Sequence, residues 1–532
     1  MASLRTPTRR LKSAMDRAME EFAQEVEDIA ASLKQRARET ASAKDAEGHR
    51  EHPTAYVENL VARVSLPQGC LFVGHINTDM DSVGGAVAAA QLYDGVATLA
   101  EPVHTLNGEI MYACKYARTG EKPAWTAEDI SAWKSEHEAT LPGFGTGGHD
   151  LRYFGDVFVG ASEKTDAART AAGVSDESKC RSLVVMVDHN APSQMVPCLK
   201  KCLVEDGNTD VLKGIIDHHA LDEKISTKGP LFMDVRPWGS MCTILMHSFI
   251  RSAKPIPVDV ARMMLCAIMS DTVNLTSPTT TLADRYIVPL LTRFCDEPDH
   301  NKLAQGLFRA KTAWFAALSP FQCVRADQKD FESVASDGTV RRWGWATVEV
   351  NEPDKLMCQA NHMLLELQNL KDDKGLAFAF LSVVDLNSKT SKLLLCGPAE
   401  VSLASVAFPD GVLFNACDGD TGADADRSRS MVVALGIVAD TSGMDIGSRT
   451  SRKKQFKPAV DDALGSGWVE PVVGGGGGKT AGASPAEVGA ATFNSQQNSP
   501  RRRMTLRTKS SVSVDQMLKR DYVLEEEPNG IF

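Results

Sequence analysis

Between about residues 67 and 311, short apolar runs alternate with helical patterns, and this alternation constrains the fold more than any other feature of the sequence. The apolar runs are Leu71–Val73, Leu183–Val187 and Leu212–Ile216, and the helical patterns include Gly85–Leu92 and Val258–Met269. Strands that are apolar throughout are typical of sheets covered on both faces. The sequence therefore predicts an α/β fold, with a parallel sheet flanked by helices.

Two segments lie beside or beyond this alternation. Residues 120–178 are rich in Gly, Ser, Glu and Lys, and we expect an inserted surface segment there. After a linker at 312–322, residues 323–466 hold two strand-like runs and one helical pattern: Trp343–Val350, Leu376–Val384 and Pro353–Leu370. This order predicts a second, smaller lobe of mixed α/β structure at the C-terminal side.

The two ends of the chain have different compositions. Residues 1–66 carry apolar residues in steps of three and four, namely Met15, Met19, Phe22, Val26, Ile29 and Leu33. This spacing predicts a helical extension that packs on its own domain or, alternatively, forms a short self-associating coil. Residues 467–532 are polar and of low complexity, which predicts a disordered tail. Its basic Ser/Thr patch is compatible with a kinase acting there.

Charge and composition exclude several classes of protein. Lys and Arg number 58 against 69 Asp and Glu, a net charge of −11, which has the wrong sign for a protein that binds nucleic acid over its surface. No apolar run is long enough to span a membrane. The twelve cysteines include no CxxC pair, as expected in a reducing compartment. We predict a cytoplasmic protein, although the Arg-rich first residues leave organelle targeting as an alternative.

Four acidic motifs lie at the ends of predicted strands or on a following helix. They are His75 to Ser82, Asp188-His189-Asn190, Asp217-His218-His219 and Ser270-Asp271-Thr272. The carboxyl ends of parallel strands share one edge of the sheet, so distant motifs can converge there. Taken singly, such an Asp is often only a helix N-cap and such a His a packed core residue. Together, imidazole and carboxylate ligands favour a divalent metal such as Mn²⁺, Co²⁺ or Mg²⁺.

The number of carboxylates sets the number of metal ions. Four carboxylates at one edge would repel each other unless cations were present. Two divalent cations would balance their charge of −4, with His75 and His218 as neutral ligands; the four carboxylates are Asp79, Asp81, Asp188 and Asp271. The sequence therefore predicts a site for two metal ions.

In this order, the patterns GHxNxDxDS, DHN, DHH and SDTxNLTSPTTTxxD resemble the DHH phosphoesterase superfamily, and most closely the manganese-dependent (family II) inorganic pyrophosphatases. Three further segments resemble parts of the same family: Asn107–Ala113, Gln328–Phe331 and Ser451–Gln455. The resemblance covers roughly residues 67–466 apart from the insertion. It implies a DHH metal-binding domain at 67–311 and a DHHA2 substrate-binding domain at 323–466.

The resemblance also implies a role for each site residue. His75 and Asp79 would hold one metal ion, with Asp188 bridging it to a second ion held by Asp81, His218 and Asp271. His219 would contact the substrate and protonate the leaving phosphate, while Asp217 orients a neighbouring histidine. Three basic residues would bind the phosphate oxygens from the second lobe: Lys329, Arg452 and Lys453. The implied cofactors are two Mn²⁺ ions, with Co²⁺ as a substitute and Mg²⁺ accompanying the substrate.

The implied reaction is hydrolysis of inorganic pyrophosphate to two phosphates by water that two metal ions activate. Three alternatives stay open: an exopolyphosphatase, a nucleotide phosphodiesterase, or a non-catalytic scaffold that keeps the fold. A homodimer is compatible with the sequence. The chain also departs from the family pattern, with Thr78 in place of a usual Pro, Gly84 and Gly85 after the first motif, and Arg236 in place of a usual acid.

Overall fold

The computed structural model describes residues 24–36, 38, 66–136, 140–141, 143–144, 150–159, 182–221, 225–252, 254–419 and 425–471. Several sequence predictions fall outside these residues. They concern Met15, Met19 and Phe22 of the apolar spacing, residues 160–178 of the insertion, and the tail from 472 onward with its Ser/Thr patch. The second compact unit of the chain, Gly474–Phe532, also lies outside them.

The predicted parallel sheet is present and has seven strands in the order β3-β4-β2-β1-β5-β6-β7. The strands are β1 (Leu71–Val73), β2 (Val96–Leu99), β3 (Thr140–Leu141), β4 (Leu151–Tyr153), β5 (Val184–Val187), β6 (Leu212–Asp217) and β7 (Phe232–Val235). All neighbours pair in parallel except β3 with β4. Phe72 packs into one core while Leu71 and Val73 pack into another on the opposite face. Burial on both faces explains the uninterrupted apolar runs.

Helices of the first lobe pack against this sheet and against one another. They are α1 (24–36), α2 (Met80–Tyr93), α3 (Gly108–Thr119), α4 (Ala127–Glu136), α5 (Met241–Ser252), α6 (Val258–Asp271), α7 (Leu282–Phe294) and α8 (His300–Ala316). Gly84 and Gly85 of α2 permit this close contact, since a Cβ at Gly84 would lie 3.1 Å from the Ala267 Cβ. A Cβ at Gly85 would lie 1.6 Å from the Met241 Cε. The two glycines thus fit the packing of α2 against α5 and α6.

The insertion contributes to the sheet. We predicted a surface segment at about 120–178, but its described part supplies α4 and the strands β3 and β4. Leu141, Leu151 and Phe154 are buried. Strand β4 pairs with β2, so this segment extends the edge of the sheet rather than lying over it. The strands have only two and three residues, too few for a periodicity to reveal them in the sequence.

The second lobe is the predicted mixed α/β structure. Its six-stranded sheet has the order β12-β13-β11-β10-β9-β8. The strands are β8 (Gln328–Val334), β9 (Val340–Val350), β10 (Phe378–Asp385), β11 (Thr390–Leu395), β12 (Val412–Phe414) and β13 (Gly443–Asp445). Only β9 and β10 pair in parallel. Its helices are α9 (Pro353–Met357), α10 (Ala360–Lys374), α11 (Pro398–Ala407), α12 (Ala425–Ala434) and α13 (Lys457–Gly465).

An aromatic cluster fills one face of the second sheet. Trp345 lies at its centre, with its ring centroid 4.9 Å from Phe456 and 5.1 Å from Phe380. Phe456 ends the turn Arg452–Phe456, which directly precedes α13. Because Phe456 is fully buried in this cluster, the basic residues before it are fixed to the body of the lobe.

The N-terminal helix packs on its own chain. Ala30 and Leu33 of α1 are buried in the core of the first lobe, and Lys34 forms an ion pair with Asp296 at 2.6 Å. This arrangement corresponds to the first of the two alternatives for this helix. Among the residues described, no helix combines the length and apolar character needed to cross a membrane.

Candidate metal centre

The four motifs converge at the carboxyl edge of the first sheet. The loop after β1 carries His75 and Asp79, and the first turn of α2 adds Asp81. Asp188 follows β5 directly, and the Asp217-His218-His219 segment begins at the last residue of β6. Asp271 is the last residue of α6, at the end of the helix that packs against α2. The six predicted metal ligands therefore share one location.

The ligands form two groups around Asp188. In the first group, the His75 Nε2 lies 3.2 Å from the Asp79 Oδ2 and 3.4 Å from the Asp188 Oδ2. In the second, the His218 Nε2 lies 3.3 Å from the Asp188 Oδ1 and 3.4 Å from the Asp271 Oδ2. Each carboxylate oxygen of Asp188 thus faces a different histidine.

Asp81 completes the second group. Donor atoms of Asp81, His218 and Asp271 all lie within 4.8 Å of one another, as do those of His75, Asp79 and Asp188. Each group combines imidazole nitrogen with carboxylate oxygen, the donor set expected for divalent ions such as Mn²⁺.

In the His75 and His218 rings, one nitrogen forms a hydrogen bond that orients the ring, and the other nitrogen forms none with the described residues. The His75 Nδ1 lies 2.9 Å from the Ile76 carbonyl oxygen, and the His218 Nδ1 lies 3.0 Å from the Trp238 carbonyl oxygen. A carbonyl oxygen only accepts, so each Nδ1 carries the proton and the Nε2 of a neutral ring offers a lone pair. Both Nε2 atoms are buried without a hydrogen-bond partner among the described residues, and so is the Asp188 Oδ1. These orphaned atoms fit bound metal ions.

Backbone groups hold the carboxylates in place. Asp81 accepts hydrogen bonds from the Met241 N–H at 2.6 Å and the Cys242 N–H at 3.1 Å, at the first turn of α5. The positive end of that helix favours the negative charge. Asp79 caps α2 by accepting from the Ser82 N–H, and the Ser82 hydroxyl donates to Asp188 at 3.0 Å. Asp188 has a left-handed backbone (φ 62°), a strained conformation of the kind found at functional sites.

The pKa shifts in the centre indicate that its carboxylates have too little positive charge around them. Burial raises the pKa of Asp81 to about 6, and the neighbouring Asp188 adds to this shift. Burial and the charge of Asp81 also raise the pKa of Asp271 well above its usual range. Although burial favours the neutral ring of His75, the Asp79 carboxylate raises its pKa to about 10. Without metal ions, protons would have to neutralise these carboxylates.

Asp188 shifts in the opposite direction. Burial disfavours its charge, but the His218 and His75 rings on either side lower its pKa well below the usual range. The charged form of Asp188 is therefore stabilised at the point where both groups meet.

Asp217 orients His219, as predicted for this aspartate. The Asp217 Oδ1 lies 2.8 Å from the His219 Nδ1 and accepts from the backbone N–H groups of His218 and His219. Asn190 donates to its other oxygen at 2.5 Å. Although burial opposes the charged form, the contact with His219 lowers the pKa of Asp217. Burial, together with His218, lowers the pKa of His219 to about 4, so this ring is neutral at pH 7.

The predicted substrate-binding residues face the centre from the second lobe. The Lys453 Nζ donates to the His218 carbonyl oxygen at 2.7 Å. Lys329 is close enough for its charge to lower the pKa of His75. Beside it, the Asn77 side chain donates to the Gln328 carbonyl oxygen at 2.5 Å, which joins the first motif to β8. The metal-ligand groups and the basic residues therefore lie on facing lobes.

Arg452 has protein partners of its own. Its guanidinium pairs with the Asp327 carboxylate at 2.9 Å and donates to the carbonyl oxygens of Asp327 and Trp345. Lys454, to which we assigned no role, donates to the Pro278 carbonyl oxygen at 2.6 Å, in the loop after Asp271. The contacts of Lys453 and Lys454 thus link the turn Arg452–Phe456 to two segments of the first lobe, one at His218 and one in the loop after Asp271.

From the sequence, we assigned no role to several residues that support the predicted ligands. Ser240 donates to Asp81 at 2.9 Å, and Asp284 accepts from the Gly239 N–H and the Thr243 hydroxyl. Asp284 also closes the capping box of α7 with Thr281. The Thr281-x-x-Asp284 spacing was a visible signal for that box. Nothing in the sequence showed that Ser240 would reach Asp81, 159 residues away.

Comparisons with known proteins identify the family of this chain. The family model described as the DHH family, N-terminal domain, matches residues 70–268, and the DHHA2 domain model matches residues 305–463. The chain is thus a two-lobed protein of the DHH class. A Deinococcus radiodurans relative described as a probable manganese-dependent inorganic pyrophosphatase is 30% identical over 281 residues, covering 53% of this chain and 77% of the relative. The chain belongs to the family of manganese-dependent inorganic pyrophosphatases.

Two further comparisons extend the match. A Lactobacillus delbrueckii subsp. bulgaricus relative with the same description is 28% identical over 330 residues, which cover 62% of this chain and 86% of the relative. A crystal structure from Methanococcus jannaschii, assigned to the family II inorganic pyrophosphatases, has a TM-score of 0.50 and 19% identity, covering 74% of this chain and 98% of that one. The structural match supports the fold.

Proposed function

We propose that this protein hydrolyses inorganic pyrophosphate to two phosphates, using Mn²⁺ ions held at the carboxyl edge of the first sheet. The observation that carries the proposal is the pair of ligand groups that share Asp188, opposite basic residues of the second lobe. Family membership supports the same reaction.

His75 and Asp79 would hold one ion and Asp81, His218 and Asp271 the other, with Asp188 between them. The orphaned histidine nitrogens and the crowding of buried carboxylates support this assignment. Bound divalent ions would neutralise phosphate charge and lower the pKa of water near phosphorus. We propose Mn²⁺ as the physiological ion, Co²⁺ as a substitute, and Mg²⁺ as the companion of the substrate.

The side chains around the ions would bind and orient the substrate. Lys329 and Lys453 supply positive charge opposite the ligand groups, and Arg452 offers its guanidinium beside them. Asp217 holds His219 with its Nδ1 as the donor, so the Nε2 faces away from Asp217. We propose that His219 faces the substrate with this nitrogen, which takes up a proton from the attacking water and passes it to the leaving phosphate. The contacts between lobes would keep bulk water from the site.

Three finer proposals complete this description. The eleven described cysteines are thiols rather than disulfides, which supports the cytoplasm as the location. The two sheets support the domains proposed from the sequence, 67–311 and 323–466, but α8 continues to Ala316, so the first half of the proposed linker at 312–322 is helical. A homodimer and phosphorylation of the tail stay predictions.

The experiment is phosphate release from pyrophosphate, tripolyphosphate and a cyclic dinucleotide, each with Mn²⁺, Co²⁺ and Mg²⁺. We expect pyrophosphate to be the preferred substrate and Mn²⁺ to give the highest rate. Asp188→Asn should abolish the activity, whereas Asp206→Asn, which changes an exposed aspartate of the same lobe, should not. Preference for tripolyphosphate would favour an exopolyphosphatase, and preference for the dinucleotide a phosphodiesterase. No turnover of any of them would favour the scaffold.

A further inference from the structure

The loop between β7 and α5 contacts the second ligand group at two points. The Trp238 carbonyl oxygen accepts the hydrogen bond from the His218 Nδ1 at 3.0 Å. Two residues later, the Ser240 hydroxyl donates to the Asp81 carboxylate at 2.9 Å. The position of this loop therefore determines how both a histidine and a carboxylate of the second group are presented.

Arg236 holds this loop from several sides. Its guanidinium forms a two-point ion pair with Asp234, with distances of 2.6 and 2.9 Å. It also lies over the Trp238 ring, 4.9 Å from the centroid. Its third nitrogen lies 2.8 Å from the His247 Nδ1, and the His247 ring packs edge-on against Trp238 at 5.5 Å. The indole is thus enclosed by Arg236 and His247.

This chain has Arg236 where we expected an acid, so its contacts are a property of this sequence. The backbone reinforces them, because the Trp238 N–H donates to the Arg236 carbonyl oxygen at 2.8 Å. A lysine could not replace the arginine, because its single ammonium cannot pair with Asp234 at two points while stacking on a ring. The contacts of the side chain and the backbone together fix the Trp238 carbonyl oxygen.

We propose that Arg236 is a positioning residue for the second metal ion, acting through Trp238 on the His218 imidazole. With the Trp238 carbonyl oxygen in place, the His218 Nδ1 keeps its proton and the Nε2 stays directed at Asp188 and Asp271. The described contacts of the Arg236 side chain, with Asp234, Trp238 and His247, include none of the proposed metal ligands. The inference rests on the metal centre proposed above.

The test is a Mn²⁺ titration of the full-length, metal-free protein followed by electron paramagnetic resonance, which reports binding without turnover. In Arg236→Gln, we expect one of the two Mn²⁺ affinities to fall about tenfold, the lower end of the effect of outer partners of metal ligands. The same affinity should be the one that an Asp81→Asn variant loses. The other affinity should match the wild type, which a general loss of folding would not allow.

Two variants make the titration specific. Arg236→Lys should behave like Arg236→Gln, because its ammonium cannot pair with Asp234 at two points. Arg325→Gln is the matched control, because Arg325 also lies over a ring, at 3.8 Å from the Phe321 centroid, and pairs with Glu366. It should leave both affinities unchanged.

The outcomes separate this inference from the proposed function. Two unchanged affinities in Arg236→Gln would overturn the positioning role, and so would an equal fall in both together with a lower melting temperature of the metal-free protein. If the wild-type protein binds no Mn²⁺, the proposed metal centre fails before Arg236 is tested.

Discussion

Replacing Asp271 by Asn should leave the metal-free protein at least as stable as the wild type and should reduce the stabilisation that Mn²⁺ provides. Donor atoms of Asp271 and Asp81 lie within 4.8 Å of each other. At that distance two charged carboxylates would repel by about 3 kcal/mol, for an effective dielectric constant of about 20, and the raised pKa of Asp271 means that the metal-free protein avoids this cost by taking up a proton. Neutral Asn avoids the repulsion without taking up a proton and keeps the shape of the side chain. The metal-free variant should therefore melt at the wild-type temperature or above it.

Mn²⁺ should stabilise the variant less than it stabilises the wild type. An ion at about 100 times its Kd stabilises the fold by about 2.7 kcal/mol. We take the loss of one ligand to weaken Mn²⁺ binding about 100-fold, the upper end of the effect of removing an outer partner of a metal ligand. At the same Mn²⁺ concentration, the ion then stabilises the fold by only about 0.4 kcal/mol. The rise in melting temperature caused by Mn²⁺ should therefore be about 5 °C smaller in the variant than in the wild type, at roughly 2 °C per kcal/mol for a domain of this size.

The assay is differential scanning calorimetry of both proteins with and without Mn²⁺, at one concentration set by the wild-type Kd. Asp206→Asn serves as the control, because it removes the same charge from an exposed position. If Mn²⁺ raises the melting temperature of Asp271→Asn as much as that of the wild type, Asp271 is not a ligand. If the metal-free variant is much less stable, the argument from repulsion is wrong.

Three further predictions concern protons, substrate and packing. Since the pKa of His75 is raised to about 10 in the metal-free protein, its ring is protonated at pH 7 and Mn²⁺ must displace that proton. The affinity for Mn²⁺ should therefore rise with pH up to that value. Titration calorimetry in two buffers should give different heats of Mn²⁺ binding because a proton is released to the buffer, and equal heats would contradict this prediction. Arg452→Gln should raise the KM for pyrophosphate about tenfold or more, as for a lost charge-assisted hydrogen bond, and steady-state kinetics with an unchanged KM would remove it from the binding site. Gly108→Ala should destabilise the protein by about 1–3 kcal/mol, because its Cβ would lie 2.3 Å from the Ala310 carbonyl oxygen; urea denaturation should show no such loss for Gly229→Ala, which has open space around it.

The sequence was most informative where strands end. The apolar runs before Gly74, Asp188 and Asp217 predicted parallel strands, and parallel strands bring their carboxyl ends to one edge. The convergence of the motifs therefore followed from topology. The second lobe was predictable for the same reason, because its strands and its helical pattern are long enough to show periodicity.

Other features of the site depend on contacts between distant residues. Neither the bond from Ser240 to Asp81 nor the stacking of Arg236 on Trp238 follows from local pattern, since tertiary packing alone brings these side chains together. The pairing of Arg452 with Asp327 also depends on tertiary packing. This ion pair restrains the Arg452 side chain more than we expected for a substrate-binding residue in an exposed turn. The short strands β3 and β4 also depend on distant pairing, since β4 pairs with β2 and β3 pairs with β4.

The central claim is that Asp188 joins two metal ions in one centre. Electron paramagnetic resonance of the protein loaded with Mn²⁺, together with a metal count per chain, tests it directly. We expect two Mn²⁺ per chain with a spin-coupled signal in the wild type, and loss of the coupling in Asp188→Asn. A single ion per chain, or two ions that show no coupling, would contradict the account.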